Sequence, residues 1–210
     1  YRKALDLRKQ LADSDPRSVP YRRSLAFSYA KLATTALLLG NTAGALDDQD
    51  HALALRQQIV AESPSQGGFK DELSWSEAEV ARLLAAKEPA RAKELVDHAV
   101  DRERALVDGD PINLAWKETL VDALLVRALV QKTAAERLET LALAHDLAAE
   151  ALARAPKSAR WPALAAEVEV ALAEADPKTA AAHWKTARDL LEPLAAAGRL
   201  AAAQGPLQIG

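Results

Sequence analysis

Prolines at positions 16, 64, 111 and 156 stand 48, 47 and 45 residues apart, and that period constrains this chain more than any other feature. Five residues after each proline comes an aromatic: Tyr21, Phe69, Trp116 and Trp161. Four further on stand Leu25, Leu73, Leu120 and Ala165. The stretch before each proline repeats as well: Ala4, Leu5, Leu7, Arg8, Gln10 and Pro16 recur as Ala52, Leu53, Leu55, Arg56, Gln58 and Pro64. A fixed period of this size is the mark of stacked supersecondary units that share one core between neighbours. Each aromatic follows the structural repeat, so the four are expected to fill equivalent gaps in that core.

The punctuation predicts what each unit contains. A helix over residues 1–13, with Leu5, Leu7 and Leu11 facing inward, stops before Pro16, because the residue before a proline avoids the helical region. The next helix starts at Ser18 or Pro20 and runs to about residue 39, with Gly40 as its left-handed C-cap. Thr42 is expected to cap the following helix, which continues to about residue 62 with Asp47 and Asp48 near its positive end. Ser63-Pro64-Ser65-Gln66-Gly67-Gly68 is a loop. Helices are then predicted over 69–86, from Pro89 to about 108, and over 112–131, 134–154, 159–174 and 178–196. Pro89 suits a first helical turn, and Pro193 should kink or shorten the last turn of the final helix. Alternating strand patterns are missing, and alanine and leucine favour helix, so almost no sheet is expected.

The segment Leu39-Gly40-Asn41-Thr42-Ala43-Gly44-Ala45-Leu46 resembles the turn of a tetratricopeptide repeat. Tyr29, Leu32 and Ala33 stand where that family has its large, large and small packing residues, and Ala45 and Ala52 match its two small residues on the second helix. The family's unit is shorter, so these helices look extended by two turns each. The lengthened form is similar to repeats in bacterial signalling proteins, beside serine/threonine kinase and caspase-like domains. The likeness is strongest over residues 1–64 and fades after 156. Ala86-Lys87-Glu88-Pro89 and Lys132-Thr133 replace the glycine turn in later units. The resemblance implies an all-α, right-handed α-solenoid of stacked antiparallel helix hairpins. It would form one domain over 1–210: a half repeat at 1–16, units at 17–64, 65–111, 112–156 and 157–197, and a tail at 198–210. The half repeat leads us to expect a piece of a longer protein.

Composition narrows the function classes. Apolar residues make up 50% and aromatics only 4%, and there is no cysteine, which removes disulfides and thiolate chemistry. No apolar run reaches the roughly 18 residues that a membrane span needs, and no signal peptide is visible. These features fit a cytoplasmic protein. Residues 1–31 hold eight Lys/Arg against three Asp/Glu, while the net charge is −3. That asymmetry falls short of the basic face that nucleic-acid binding needs.

The chemistry-bearing residues form no reactive constellation. His51 and His98 occupy matching places in Asp-His-Ala, with His145 two residues out of phase. A stacked ladder of them could hold a metal only if units ~10 Å apart brought ligands within ~2.1 Å of one ion, so surface histidine is the default and no metal is expected. Asp47, Asp48 and Asp50 lack the glycine and distal glutamate of a calcium loop. Phosphate-loop, dinucleotide, zinc-protease and nucleophile-elbow motifs are all missing. The expectation is a non-enzymatic chain without a cofactor.

In the resembling family the first helix of each unit lines a concave groove. Carried onto this chain, that face would present Phe27, Ala30, Thr34 and Leu37, then Trp75, Ala78 and Arg82, then Asp122, Leu125 and Leu129. Exposed aromatics beside an arginine anchor bound peptides; the alternative is that Phe27 and Trp75 pack between hairpins. The leading functional expectation is a protein-interaction scaffold that binds a peptide or helix, from a partner or from its own parent chain. A regulatory or sensor segment of a bacterial signalling enzyme is the alternative. A dimerising solenoid, with contacts from Leu200 to Leu207, is a third.

Overall fold

The computed structural model describes residues 2–200. Among the described residues the chain is all-helical: α1 (Arg2–Ser14), α2 (Val19–Leu38), α3 (Thr42–Glu62), α4 (Gly67–Leu84), α5 (Pro89–Gly109), α6 (Leu114–Val130), α7 (Ala134–Arg154), α8 (Arg160–Ala175) and α9 (Ala180–Ala196). The chain divides into two compact units, residues 1–102 and 103–210, and the division falls within α5.

Local chemistry ends and starts these helices. Gly40 has φ +74°, a left-handed conformation that costs glycine nothing. It closes α2 by donating its N–H to Leu37 O at 2.9 Å, and the next N–H, from Asn41, reaches Ala36 O at 2.8 Å. Asn41, not Thr42, then caps α3: its side-chain oxygen accepts from the Gly44 N–H at 3.0 Å. The side chain best placed to reach the orphan N–H lies one residue earlier than expected. Thr133 and Glu136 form a reciprocal capping box at the start of α7. Gly198, at φ +64°, ends α9 as Gly40 ends α2, with the Arg199 N–H on Leu194 O at 2.8 Å. Pro193 lies within α9, whose last residue is Ala196. Residues 201–210, which hold most of the segment proposed above for self-association, lie outside the described residues.

In the first unit, α1 packs on α2, α2 on α3 and α3 on α4, and Arg102 of α5 reaches Glu77 and Ser74 of α4. In the second, α6 packs on α7, α7 on α8, α8 on α9, and α6 also touches α8. Sequence neighbours are thus spatial neighbours, as a helical repeat requires.

The repeat holds side chain by side chain. Leu25, Leu73, Leu120 and Ala165 are all buried. One residue on, so are Ala26, Ser74, Val121 and Ala166, and eight on, Ala33, Ala81, Ala128 and Ala173. Small residues recur where helix backbones approach, which lets long helices pack closely with few aromatics. Polar contacts repeat too. The Arg8 guanidinium donates to Ser28 Oγ, and 48 residues later Arg56 donates to Ser76 Oγ. Both pairs tie a second helix to the first helix of the next hairpin. A buried cation follows the opening aromatic twice: Arg22 pairs with Glu62, and Lys117 with Glu150 at 2.6 Å.

The aromatic series departs from expectation. Trp161 is 3% exposed, Phe69 and Trp116 are half-buried, and Tyr21 is 37% exposed. Near the start of α8, Leu191 and Leu194 of α9 pack with Ala159 and Ala163. Phe69 is capped by the Arg23 guanidinium 5.8 Å from its ring centroid. Leu7 and Leu11 also differ from expectation: both are exposed, while Leu5 and Ala12 face the core.

Candidate partner-binding surface

The repeat places Phe27, Trp75, Asp122 and Glu167 at equivalent positions, on the first helices α2, α4, α6 and α8. In the first unit this column is aromatic. Phe27 is 45% exposed, with Lys31 Nζ 5.6 Å from its ring centroid. Trp75 is half-buried and lies against the Arg56 guanidinium, 5.0 Å from the ring centroid. Arg23 of α2 pairs with Glu72 of α4, which holds the two helices side by side. Arg82 is exposed and pairs with Glu79 at 3.4 Å. Leu37 is exposed and Thr34 half-buried, its hydroxyl spent on Ala30 O at 3.2 Å.

Arg56 itself is no surface group. It is nearly fully buried, and its direct side-chain partners are Ser76 Oγ and the Trp75 face. Burial pushes its guanidinium down to about 10, partly offset by Glu72 and Asp71. The half-buried ring of Trp75 therefore has a buried cation fixed against it. That contact orients the ring.

In the second unit the same column is an ionic lattice. Arg160 of α8 reaches Glu118 at 2.8 Å, Asp122 at 2.9 Å and Glu167 at 3.4 Å. Burial works against its charge, but Asp122 and Glu118 outweigh that and hold the guanidinium above its ordinary range. Burial raises Glu118, against the pull of Arg160. Asp122, expected to face a groove, is engaged across the α6–α8 contact.

Three further groove candidates are buried: Ala30, Ala78 and Leu125. They stand three residues after the column, about one turn along the helix and rotated toward the second helices, so they belong to the packing. Leu129 is exposed at the end of α6. In the first unit the first helices thus present Phe27 and Leu37 exposed and Thr34 half-buried on α2, with Arg82 exposed and Trp75 half-buried on α4.

The histidines do not form a ladder. His51 stacks on Tyr29, centroids 4.8 Å apart, with its Nδ1 2.8 Å from Asp47 O. His98 is exposed. His145 of α7 and His183 of α9 instead bracket the buried Glu169 of α8, at 3.3 and 2.6 Å. Sequence reasoning missed this pairing because His183 is unrelated to the others by the repeat period. Glu169 occupies the position of Tyr29 in its unit, as does Glu77, which Arg102 pairs at 2.6 Å. Among the described residues no group of three or more His, Cys, Asp or Glu is arranged to hold a metal ion, and no helix is long and apolar enough to cross a membrane.

Set against protein-family models, curated proteins and solved structures, the chain finds no match in any of the three.

Proposed function

We propose that this chain is a non-enzymatic protein-interaction scaffold whose first-helix face takes a peptide or helix of a partner protein. The observation that carries the reading is the paired aromatic column of the first unit. Phe27 and Trp75 stand at the same repeat position on helices bridged by Arg23 and Glu72, each with a cation at its ring, Phe27 exposed and Trp75 half-buried. Two anchors at a repeat spacing suit a partner that places apolar side chains along an extended or helical segment. In the second unit the equivalent column is filled by Arg160 and its carboxylates, so recognition is assigned to α2 and α4. The tetratricopeptide-like turn at 39–46, with Tyr29, Ala33, Ala45 and Ala52 all buried, supports a right-handed repeat architecture for that scaffold.

The test is photo-crosslinking from positions 27 and 122, with partner recovery measured for Phe27→Ala/Trp75→Ala. The reading expects crosslinks at 27, none at 122, and loss of recovery in the double variant. Unchanged recovery with both rings removed refutes it.

A further inference from the structure

Glu169 and Glu77 hold the same repeat position, and their buried charges are compensated in two different ways. Both are nearly closed to water, at 5% and 4% exposed. A carboxylate in such a place needs a hydrogen-bonded cation to offset its lost hydration. Glu77 has a permanent one: Arg102 donates to both of its oxygens, at 2.6 and 3.3 Å. Among the described residues Glu169 meets no arginine or lysine. Instead His183 Nδ1 stands 2.6 Å from its Oε2 and His145 Nε2 3.3 Å from its Oε1, so each oxygen carries one imidazole.

The two imidazoles come from α9 and α7, both packed on α8. Flanking second helices also converge on this repeat position in the first unit, where Lys9 Nζ and the His51 ring lie 5.3 and 4.8 Å from the Tyr29 ring centroid. In the second unit the converging groups are titratable and the group between them is a buried anion.

We propose that His145, Glu169 and His183 form a proton-operated clamp, which fastens α7 and α9 to α8 when the imidazoles are charged and slackens when they are neutral. A neutral imidazole offers the carboxylate one N–H and no charge. A protonated one makes a charge-assisted hydrogen bond, roughly twice as strong. An ordinary imidazole takes up its second proton at about pH 6.5, a range in which arginine and ordinary carboxylates keep their charges. Charged imidazoles meet Glu169 in the folded chain and only water in the unfolded one, so the clamp adds stability as pH falls through that range. The other charges beside the histidines act in the same direction: Asp146 is 3.4 Å from His145, and Asp176, at the turn before α9, attracts His183. α6 also touches α8, but its Glu118 and Asp122 face Arg160, nine residues before Glu169. The clamp lies within the second unit, and its fate does not depend on the reading of Phe27 and Trp75.

The test is amide hydrogen exchange of the intact chain at about pH 7.5 and about pH 5.5, either side of the histidine range, corrected for the intrinsic pH dependence of exchange. Protection of α8 and α9 is expected to rise about tenfold at the lower pH, the equivalent of 1.4 kcal/mol. Glu169→Gln keeps the shape and removes the charge, and it should abolish the rise, as should His145→Gln/His183→Gln. His51→Gln, at an exposed position in the first unit, should leave the rise in place. No rise in the unaltered chain overturns the proposal, whether or not the variants fold. A rise that survives in Glu169→Gln or in the double histidine variant overturns it too, and so does a rise lost with His51→Gln.

Discussion

Replacing Leu120 with alanine tests the packing at the position where the repeat is most regular. Leu120 is buried on α6, equivalent to the buried Leu25 and Leu73. The change removes three carbon atoms from a site almost closed to water. At about 0.8 kcal/mol for each buried methylene, transfer alone costs roughly 2.4 kcal/mol. The void adds to this, because long helices held by neighbours on two sides cannot collapse fully; core leucine truncations span ~2–5 kcal/mol. A loss of about 3 kcal/mol is therefore expected. Urea unfolding followed by helical circular dichroism reads it as a lower midpoint with an unchanged slope. Repeat proteins can unfold in parts, so hydrogen exchange on α6 and α7 should show the same loss locally. Leu38→Ala, at the exposed end of α2, is the control and should cost under about 0.5 kcal/mol. A loss below that at Leu120 refutes the helical phase assigned to α6 and, with it, the equivalence of the three leucines.

Gly40→Ala should destabilise the chain by ~1–2 kcal/mol, since φ +74° is strained for any residue with a Cβ; thermal unfolding checks it. Thr133→Ala removes the capping box of α7 and should cost about 1 kcal/mol, with exchange accelerated in the first turn of that helix. Acidification should destabilise the fold through Glu62 and Glu150, which Arg22 and Lys117 hold below the ordinary carboxylate range. A lowered folded-state value contributes stability above the unfolded carboxylate value of about 4.3 and loses it as pH falls through the folded one. Glu118, raised by burial, works in the opposite sense. Arg22→Met should flatten the acid limb of a plot of urea midpoint against pH, and an unchanged limb would exclude the Glu62 contribution.

Element boundaries were legible from the sequence because local chemistry sets them. Proline forbids the preceding helical residue, and Gly40 takes a conformation few others tolerate, so the predicted helices match the observed ones within two or three residues. The small-residue positions were legible for a similar reason: Ala33, Ala45 and Ala52 mark close backbone approach, and all three are buried. Cover from distant elements was not legible. Trp161 is buried, while Tyr21, at the same repeat position, stays open. Leu7 and Leu11 look like core residues in any helical projection, yet both are exposed. Of the groove candidates, Phe27 is exposed and Trp75 half-buried, while Asp122 is drawn into the α6–α8 contact by Arg160, a pairing across 38 residues that no local pattern announces. Ala30, Ala78 and Leu125, carried over as groove residues, are buried, because a helix face narrows to a stripe once both neighbours are packed.

The central claim is that second and first helices meet in the same register in successive repeats, and a cysteine-free chain allows that to be measured directly. Two double variants, Arg8→Cys/Ser28→Cys and Arg56→Cys/Ser76→Cys, are treated with a short thiol-to-thiol crosslinker, beside the shifted pairs Arg8→Cys/Ala26→Cys and Arg56→Cys/Ser74→Cys; Ser74 faces Arg102 of α5 instead. Repeat equivalence predicts efficient linkage of both Arg–Ser pairs and poor linkage of both shifted pairs. Linkage of only one Arg–Ser pair, or preferential linkage of the shifted pairs, would contradict it.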